Sequence, residues 1–142
     1  MAIRIAVTAT SVILLASACG SAEEEASVDA SAAESSSTEC VEVSPEMGAA
    51  IAEGGVGIEW VRGRAVKSPD HEGVYYVAGV VDDGQGEVTG VWGTPSLEPG
   101  GGAVVAVDGF AQEFTDWPES TEEAGSMSVT DDGAVQAKGC LA

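Results

Sequence analysis

The chain has 142 residues, with 24 acidic residues against 5 lysines and arginines and a formal net charge of −19. Proteins bind phosphate backbones and anionic lipid headgroups through Lys and Arg, so this composition excludes nucleic acid as a partner and makes anionic membrane surfaces repulsive. A single histidine also excludes a histidine-rich zinc site.

The first element is an apolar run over residues 3–18, which has Arg4 near its start and is followed directly by Cys19. The run has about sixteen residues, whereas a helix needs roughly 20 to cross a bilayer. A short apolar run that ends in small residues is typical of a secretory signal. A cysteine at its end favours a bacterial lipoprotein signal, with a diacylglyceryl group and palmitate on Cys19. Residues 16–18 also form an A-x-A site, so cleavage after residue 18 and secretion is the alternative.

Residues 20–39 contain one large apolar side chain, Val28, and six acids. Such a segment cannot bury enough apolar surface to offset its ordering entropy, so we predict that it is disordered. We expect a signal peptide over residues 1–18, an acidic leash over 19–39 and one compact domain over 40–142. The domain carries 18 acidic and 4 basic residues, a net charge of −14.

Cys40 and Cys140 lie at the two ends of this domain. Outside the cytoplasm, two lone cysteines in a small domain favour a disulfide. In the chain-entropy model, closing a loop of this size stabilises the fold by roughly 4–5 kcal/mol. The sequence has no C-x-x-C motif, which leaves a redox-active or metal-binding pair without support.

The first helix is predicted to start at Pro45, with Ser44 as its N-cap, and to end before Gly54. Alternating and β-branched residues predict four strands after it, with Gly63 as a candidate bulge in the first of them. The second strand is apolar on both faces and is therefore expected to be central. The four strands are predicted over residues 56–67, 74–81, 88–94 and 103–107.

Asp108 and the apolar residues after it predict a short helix over 109–116, with a continued strand as the alternative. A last helix is predicted over 132–140, capped by Thr130 or Asp131. The whole pattern predicts an α+β domain. It consists of a small antiparallel sheet of about four strands with short N- and C-terminal helices, closed by one disulfide. We expect the two disulfide-linked helices to lie on the same face of the sheet.

Three stretches of the domain have a recognisable pattern: VWGT at 91–94, VDGFAQEFTDWP at 107–118, and SVTDDGA at 128–134 followed by Cys140. In these stretches the domain resembles a group of uncharacterised small exported lipoproteins of high-GC Gram-positive bacteria. The resemblance implies the same layout of lipobox, polar leash and disulfide-closed domain, and it implies no activity, ligand or catalytic residue.

Few residues in the domain have the spacing of a chemical site. His71 stands in a Pro/Gly turn that favours a solvated side chain, without a nucleophile elbow in the sequence. The three glycines at 100–102 precede a strand and lack the lysine of a phosphate loop. The acidic stretches at 82–87 and 131–133 lack calcium-loop spacing and are better explained as a hairpin and a helix cap. No cofactor or metal is expected.

Three of the four domain cations, Arg62, Arg64 and Lys67, are grouped on one strand and its turn. They are candidate contacts for a carboxylate or an acidic partner, although pairing with the domain's own acids is the simpler interpretation. Most aromatic residues are expected in the core. Tyr75 and Trp117 are further candidate contacts, because aromatic side chains could line a groove for sugars or peptides. Tyr75 and Tyr76 point to opposite faces of one strand, so one of the two is a candidate for exposure.

These observations favour a non-catalytic binding or interaction domain, held by lipid to the outer face of the cell membrane. Its partner would be a protein or an envelope polymer. The alternative is an envelope hydrolase with paired carboxylates, because acids are the one catalytic residue type in supply. A buried, unpaired acid in a cleft would favour the hydrolase, with Asp108 and Asp116 as the first candidates.

Overall fold

The computed structural model of the chain describes residues 39–121 and 126–142. The signal segment, Cys19 and most of the acidic leash lie outside the described residues. The elements in chain order are β1 (Val41–Glu42), α1 (Pro45–Ala52), β2 (Glu59–Lys67), β3 (Tyr75–Asp82), β4 (Glu87–Thr94), β5 (Val105–Ala106), α2 (Gly109–Phe114) and α3 (Asp132–Gly139).

The five strands form one antiparallel sheet in the order β1-β2-β3-β4-β5. The α+β class is confirmed, but the predicted count of about four strands is wrong. The missed strand is β1, whose two residues pair with Arg64 and Ala65 and are too few to show an alternating pattern. The third strand in this order, β3, is buried on both faces, as predicted.

The helix boundaries follow from local chemistry. Ser44 Oγ accepts the N–H of Met47 at 3.2 Å. Pro45 is the first residue of α1, a position where an N–H would have no carbonyl partner within the helix, so proline loses no hydrogen bond there. Asp108 Oδ1 accepts the N–H of Ala111 at 2.9 Å at the start of α2. The prediction of a helix here is therefore confirmed, and the alternative of a continued strand is wrong.

Two apolar cores lie on the two faces of the sheet. Met47 and Ile51 of α1 pack in one core with Val77, whereas Ala134 of α3 packs in the other with Tyr76. Successive residues of a strand point to opposite faces, so α1 and α3 cover opposite sides of β3. The prediction that they share a face is wrong. The sequence pattern of each helix defines an apolar side but not the sheet face that receives it.

The Cys40–Cys140 disulfide is confirmed, with 5.9 Å between the two Cα atoms. Cys40 directly precedes the edge strand β1, and Cys140 directly follows α3. The bond therefore ties a two-residue edge strand to the helix on one face, while the chain after β1 continues into α1 on the other face. Both termini of the domain are fixed at this edge of the sheet.

The beginning of β2 differs from the prediction. Val56 lies before the strand and is 86% exposed, because Gly57 adopts a left-handed backbone with φ of 73°. The pairing register shifts between Trp60 and Arg62, so Val61 is the extra residue of the bulge. Gly63, the predicted bulge, pairs regularly with Gly79 instead.

A row of three glycines crosses the sheet and holds two indole rings. Gly63, Gly79 and Gly90 are direct neighbours on β2, β3 and β4. A Cβ atom at Gly63 or Gly79 would overlap the ring of Trp60, and a Cβ at Gly90 would overlap Trp92. The two indole rings lie with centroids 6.3 Å apart. We call this feature the glycine trough; it explains why glycine stands in the middle of three strands.

Candidate interaction site

A groove of about 820 Å³ runs along the outer edge of β2. Val43 donates its N–H to Gly63 O at 3.2 Å, after which the chain turns away into α1. No other strand of the described chain pairs with the outer edge of residues 59–62. The groove volume lies in the range of small ligand pockets, about 300–1,000 Å³.

The walls of the groove come from elements on both faces of the sheet. Ala49 of α1 and the C-cap residue Glu53 line one side, and residues 140–142 line the other. The floor is formed by residues 58–64, at the start of β2. Val61 contributes an apolar side chain to the floor that is 43% exposed. The groove thus joins an unpaired strand edge, an exposed apolar residue and a helix wall.

The arginines of the groove are held by the domain's own acids. Arg62 Nη1 lies 3.1 Å from Glu87 Oε2, and Arg64 Nη1 lies 3.4 Å from Glu42 Oε2. Both pairs are exposed, so each contributes little to stability. This intramolecular pairing is the simpler of the two interpretations that the sequence allowed. Glu53 and Glu59, which also line the groove, have no cation within 4.0 Å among residues 39–121 and 126–142.

The other predicted contacts lie elsewhere. Lys67 and Tyr75 lie opposite each other in the β2–β3 pairing, at the end of the two strands that is distant from the groove. Trp117 packs on the end of α1, where its Nε1–H donates to Ile51 O at 2.8 Å. Tyr76 is fully buried, whereas Tyr75 is half-buried. Of the five candidate contacts, the structure brings only Arg62 and Arg64 together in the groove.

His71, Tyr76 and Asp131 form a hydrogen-bonded cluster beside the start of α3. Asp131 Oδ2 accepts the Tyr76 hydroxyl, lies 3.2 Å from His71 Nε2 and accepts the N–H of Ser128 at 2.8 Å. Asp131 occupies the N-cap position of α3, as predicted, but makes no side-chain hydrogen bond to the helix. The prediction that His71 is simply solvated is wrong, because its partner lies 60 residues away in the sequence.

The hydrogen bond from Tyr76 is the main cause that lowers the pKa of Asp131, with further contributions from the Ser128 N–H and His71. Burial, and then the hydrogen bond to Asp131, raise the pKa of Tyr76. The cluster therefore favours a charged Asp131 and a neutral Tyr76 hydroxyl. This arrangement fixes the start of α3 against the turn between β2 and β3.

Asp131→Asn is expected to reduce the free energy of unfolding at neutral pH by about 1–3 kcal/mol, because hydrogen bonds to a charged acceptor are replaced by bonds to an amide. A lowered pKa in the folded state stabilises the fold above the ordinary carboxyl pKa, and this contribution is lost as the pH falls through the lowered value. In urea unfolding, the difference between wild type and variant should thus narrow from about pH 5 towards pH 2. Asp132→Asn, at an exposed neighbouring acid, is the control. A difference that stays constant over this range would contradict the assignment.

Three further acids, Asp82, Asp83 and Asp108, serve local structure. Asp82 Oδ1 accepts the N–H of Gly84 at 2.7 Å, and Asp83 Oδ1 accepts the N–H of Gln85 at 2.8 Å, as expected for a hairpin loop. Asp108 caps α2 and lies 3.8 Å from Lys138 Nζ, and Asp116 is exposed. Among the described residues, no group of three or more His, Cys, Asp or Glu side chains is placed to hold a metal ion.

Within the same ranges, none of the helices has the length and apolar character needed to cross a membrane. No family model matches this chain, no curated protein matches it and no solved structure matches it. The resemblance to exported lipoproteins therefore stays a prediction.

Proposed function

We propose that this protein is a lipid-anchored binding domain of the cell envelope, and that its binding surface is the groove along the outer edge of β2. The observation that supports this most is the unpaired edge of residues 59–62, enclosed between α1 and residues 140–142. An exposed strand edge is a ready template for an incoming strand, and folded proteins normally cover such an edge. In this domain the edge of residues 59–62 is left uncovered and forms part of an accessible groove.

The acids of the domain support a binding role over the hydrolase alternative. A general acid needs a carboxyl whose pKa is raised by an apolar pocket. No Asp or Glu is buried in the part of the chain that the structure describes. The pKa of Asp131 is lowered, mainly by its hydrogen bond from Tyr76, which is the opposite of what a general acid needs. Asp108 is half-buried and caps α2, and Asp116 is exposed.

The lipid anchor is proposed from the sequence alone, and Cys19→Ala tests it. The variant should leave the membrane fraction and appear in the soluble fraction, because the diacylglyceryl chains that hold the protein are lost. Cell fractionation and immunoblotting measure the partition, and Ser21→Ala, two residues further on, is the control. Unchanged membrane retention of the Cys19 variant would contradict the anchor and leave the groove proposal standing.

The groove is tested by Ala49→Trp in the full-length protein. Ala49 is exposed on α1 and lines the groove, so an indole at this position fills part of the binding surface. We expect the variant to retain the fold and to lose proteins or polymers that wild type captures from envelope material. Gln112→Trp, on the exposed side of α2, is the control. Identical capture by all three proteins would contradict the proposed site.

A further inference from the structure

We infer that the groove takes an extended, positively charged peptide segment, which adds to the sheet as a strand along residues 59–62 of β2. The inference rests on the proposed function and specifies the chemistry of the partner. Main-chain pairing at a free edge gives such complexes their affinity, and alternate side chains give specificity. Four residues of strand span about 13 Å, which fits a segment of four to six residues.

The geometry of the edge favours a strand as the occupant. β1 already occupies the same edge of β2 at Arg64 and Ala65, and Val43 extends the contact to Gly63. An incoming strand would continue this line where the chain departs into α1. Its alternate side chains would face the α1 wall on one side and residues 140–142 on the other.

The electrostatics of the groove favour a basic segment. Arg62 and Arg64 are already paired, whereas Glu53 and Glu59 carry no counter-charge among the described residues. Glu53 is also the C-cap of α1, whose last turn contains no basic residue. The C-terminal end of a helix carries a partial negative charge, so it adds to the attraction for a cation. The domain's net charge of −14 acts in the same direction at longer range.

The same features disfavour other occupants. A second copy would bring another net charge of −14, and the acidic leash would bring six further acids. Glu53 and Glu59, the acidic side chains beside Val61, would repel an equally acidic strand. A segment whose charge complements Glu53 and Glu59 meets none of this repulsion.

The test uses the full-length mature protein in detergent and three six-residue peptides with blocked ends. The peptides alternate valine with lysine, serine or glutamate, so their apolar positions are identical and their alternate positions are positive, neutral or negative. Binding is measured by calorimetry and by hydrogen exchange of the amides of residues 59–62 that point away from β3. We expect the lysine peptide to bind at least about tenfold more tightly than the serine peptide, with the glutamate peptide not bound. Bound lysine peptide should slow exchange at this edge.

Charge and position are separated by matched variants. Glu53→Gln/Glu59→Gln should weaken lysine-peptide binding about 3- to 10-fold at low salt, as expected for the loss of two exposed ion pairs. Glu113→Gln/Glu119→Gln removes the same charge from outside the groove and should change binding little. Ala49→Trp should abolish binding of the peptide.

Several results would overturn the inference. Equal binding of all three peptides that Ala49→Trp abolishes would retain the groove as the binding site and refute the preference for cations. Lysine-peptide binding that is unaffected by Ala49→Trp, or weakened equally by both double variants, would indicate general attraction to an acidic surface. No binding of any peptide would refute the strand mode, while the capture experiment with Ala49→Trp would still judge the proposed function. Slow exchange in the free protein at the amides of residues 59–62 that point away from β3 would show that another part of the chain covers the edge. If this slow exchange depends on protein concentration, a second copy covers it.

Discussion

Gly79→Ala is expected to lower the free energy of unfolding by about 2 kcal/mol, although alanine is usually tolerated better than glycine in a strand. The new methyl group would lie closer than 3.0 Å to the ring of Trp60 and 3.1 Å from Trp92, in a part of the core that has no room for it. Overpacking of this kind costs about 1–3 kcal/mol. Urea unfolding, followed by tryptophan fluorescence, measures the loss.

The cause is isolated by removing the ring that the methyl group meets. In a Trp60→Leu background, Gly79→Ala should cost much less, and the difference is the coupling energy of a double-mutant cycle. Gly139→Ala is the matched control, since nothing lies within 4 Å of a Cβ at this helical position and the exchange should be neutral or slightly stabilising. An equal cost of Gly79→Ala in both backgrounds would show that the trough does not fit the ring as described.

Loss of the disulfide is expected to have the largest effect of any change in the domain. Cys40→Ser/Cys140→Ser removes a cross-link between residues 100 positions apart. The chain-entropy model gives about 4.7 kcal/mol for a loop of this length, and losses of native disulfides from small secreted domains are about 2–5 kcal/mol. Since a domain of this size has a total stability of about 5–15 kcal/mol, the variant should unfold at a much lower urea concentration.

Loss of the disulfide should also loosen the edge of the sheet locally, in addition to lowering the overall stability. β1 pairs through two residues only, so the disulfide is its main attachment to α3. Without the bond, the amides of β1 and of the end of α3 should exchange faster than those of β3. Reduced wild type should behave like the double variant, which makes reduction the control. A loss below about 1 kcal/mol would contradict a structural role for the bond.

The local features of the fold were predictable because their causes are local. Ser44 and Pro45 determine the start of α1, and the β-branched run of residues 74–81 identifies the central strand. The disulfide was predicted from the expected location outside the cytoplasm and from the count of cysteines. The boundaries of β2 were predicted less well, since the backbone at Gly57 and the bulge at Val61 break an alternating pattern that looks continuous in the sequence.

The tertiary features were not predictable, because each depends on residues distant in the sequence. The glycine trough needs the register of three strands, and Asp131 meets His71 across 60 residues. The face that α3 covers depends on the path of the chain after β5. The groove itself arises because β1 ends after two residues, which is the element that the sequence pattern did not reveal. Arg62 and Arg64 indicated its position, although their charges are satisfied within the domain.

Site-specific photo-crosslinking in intact cells tests most directly the claim that the outer edge of β2 contacts a partner. A photoreactive amino acid replaces Val61 in the groove, and the same residue at Gln112 on α2 serves as the control position. We predict a discrete crosslinked product from position 61, whose partner peptide is basic and extended, and none from position 112. No product at position 61, or the same products at both positions, would contradict the claim.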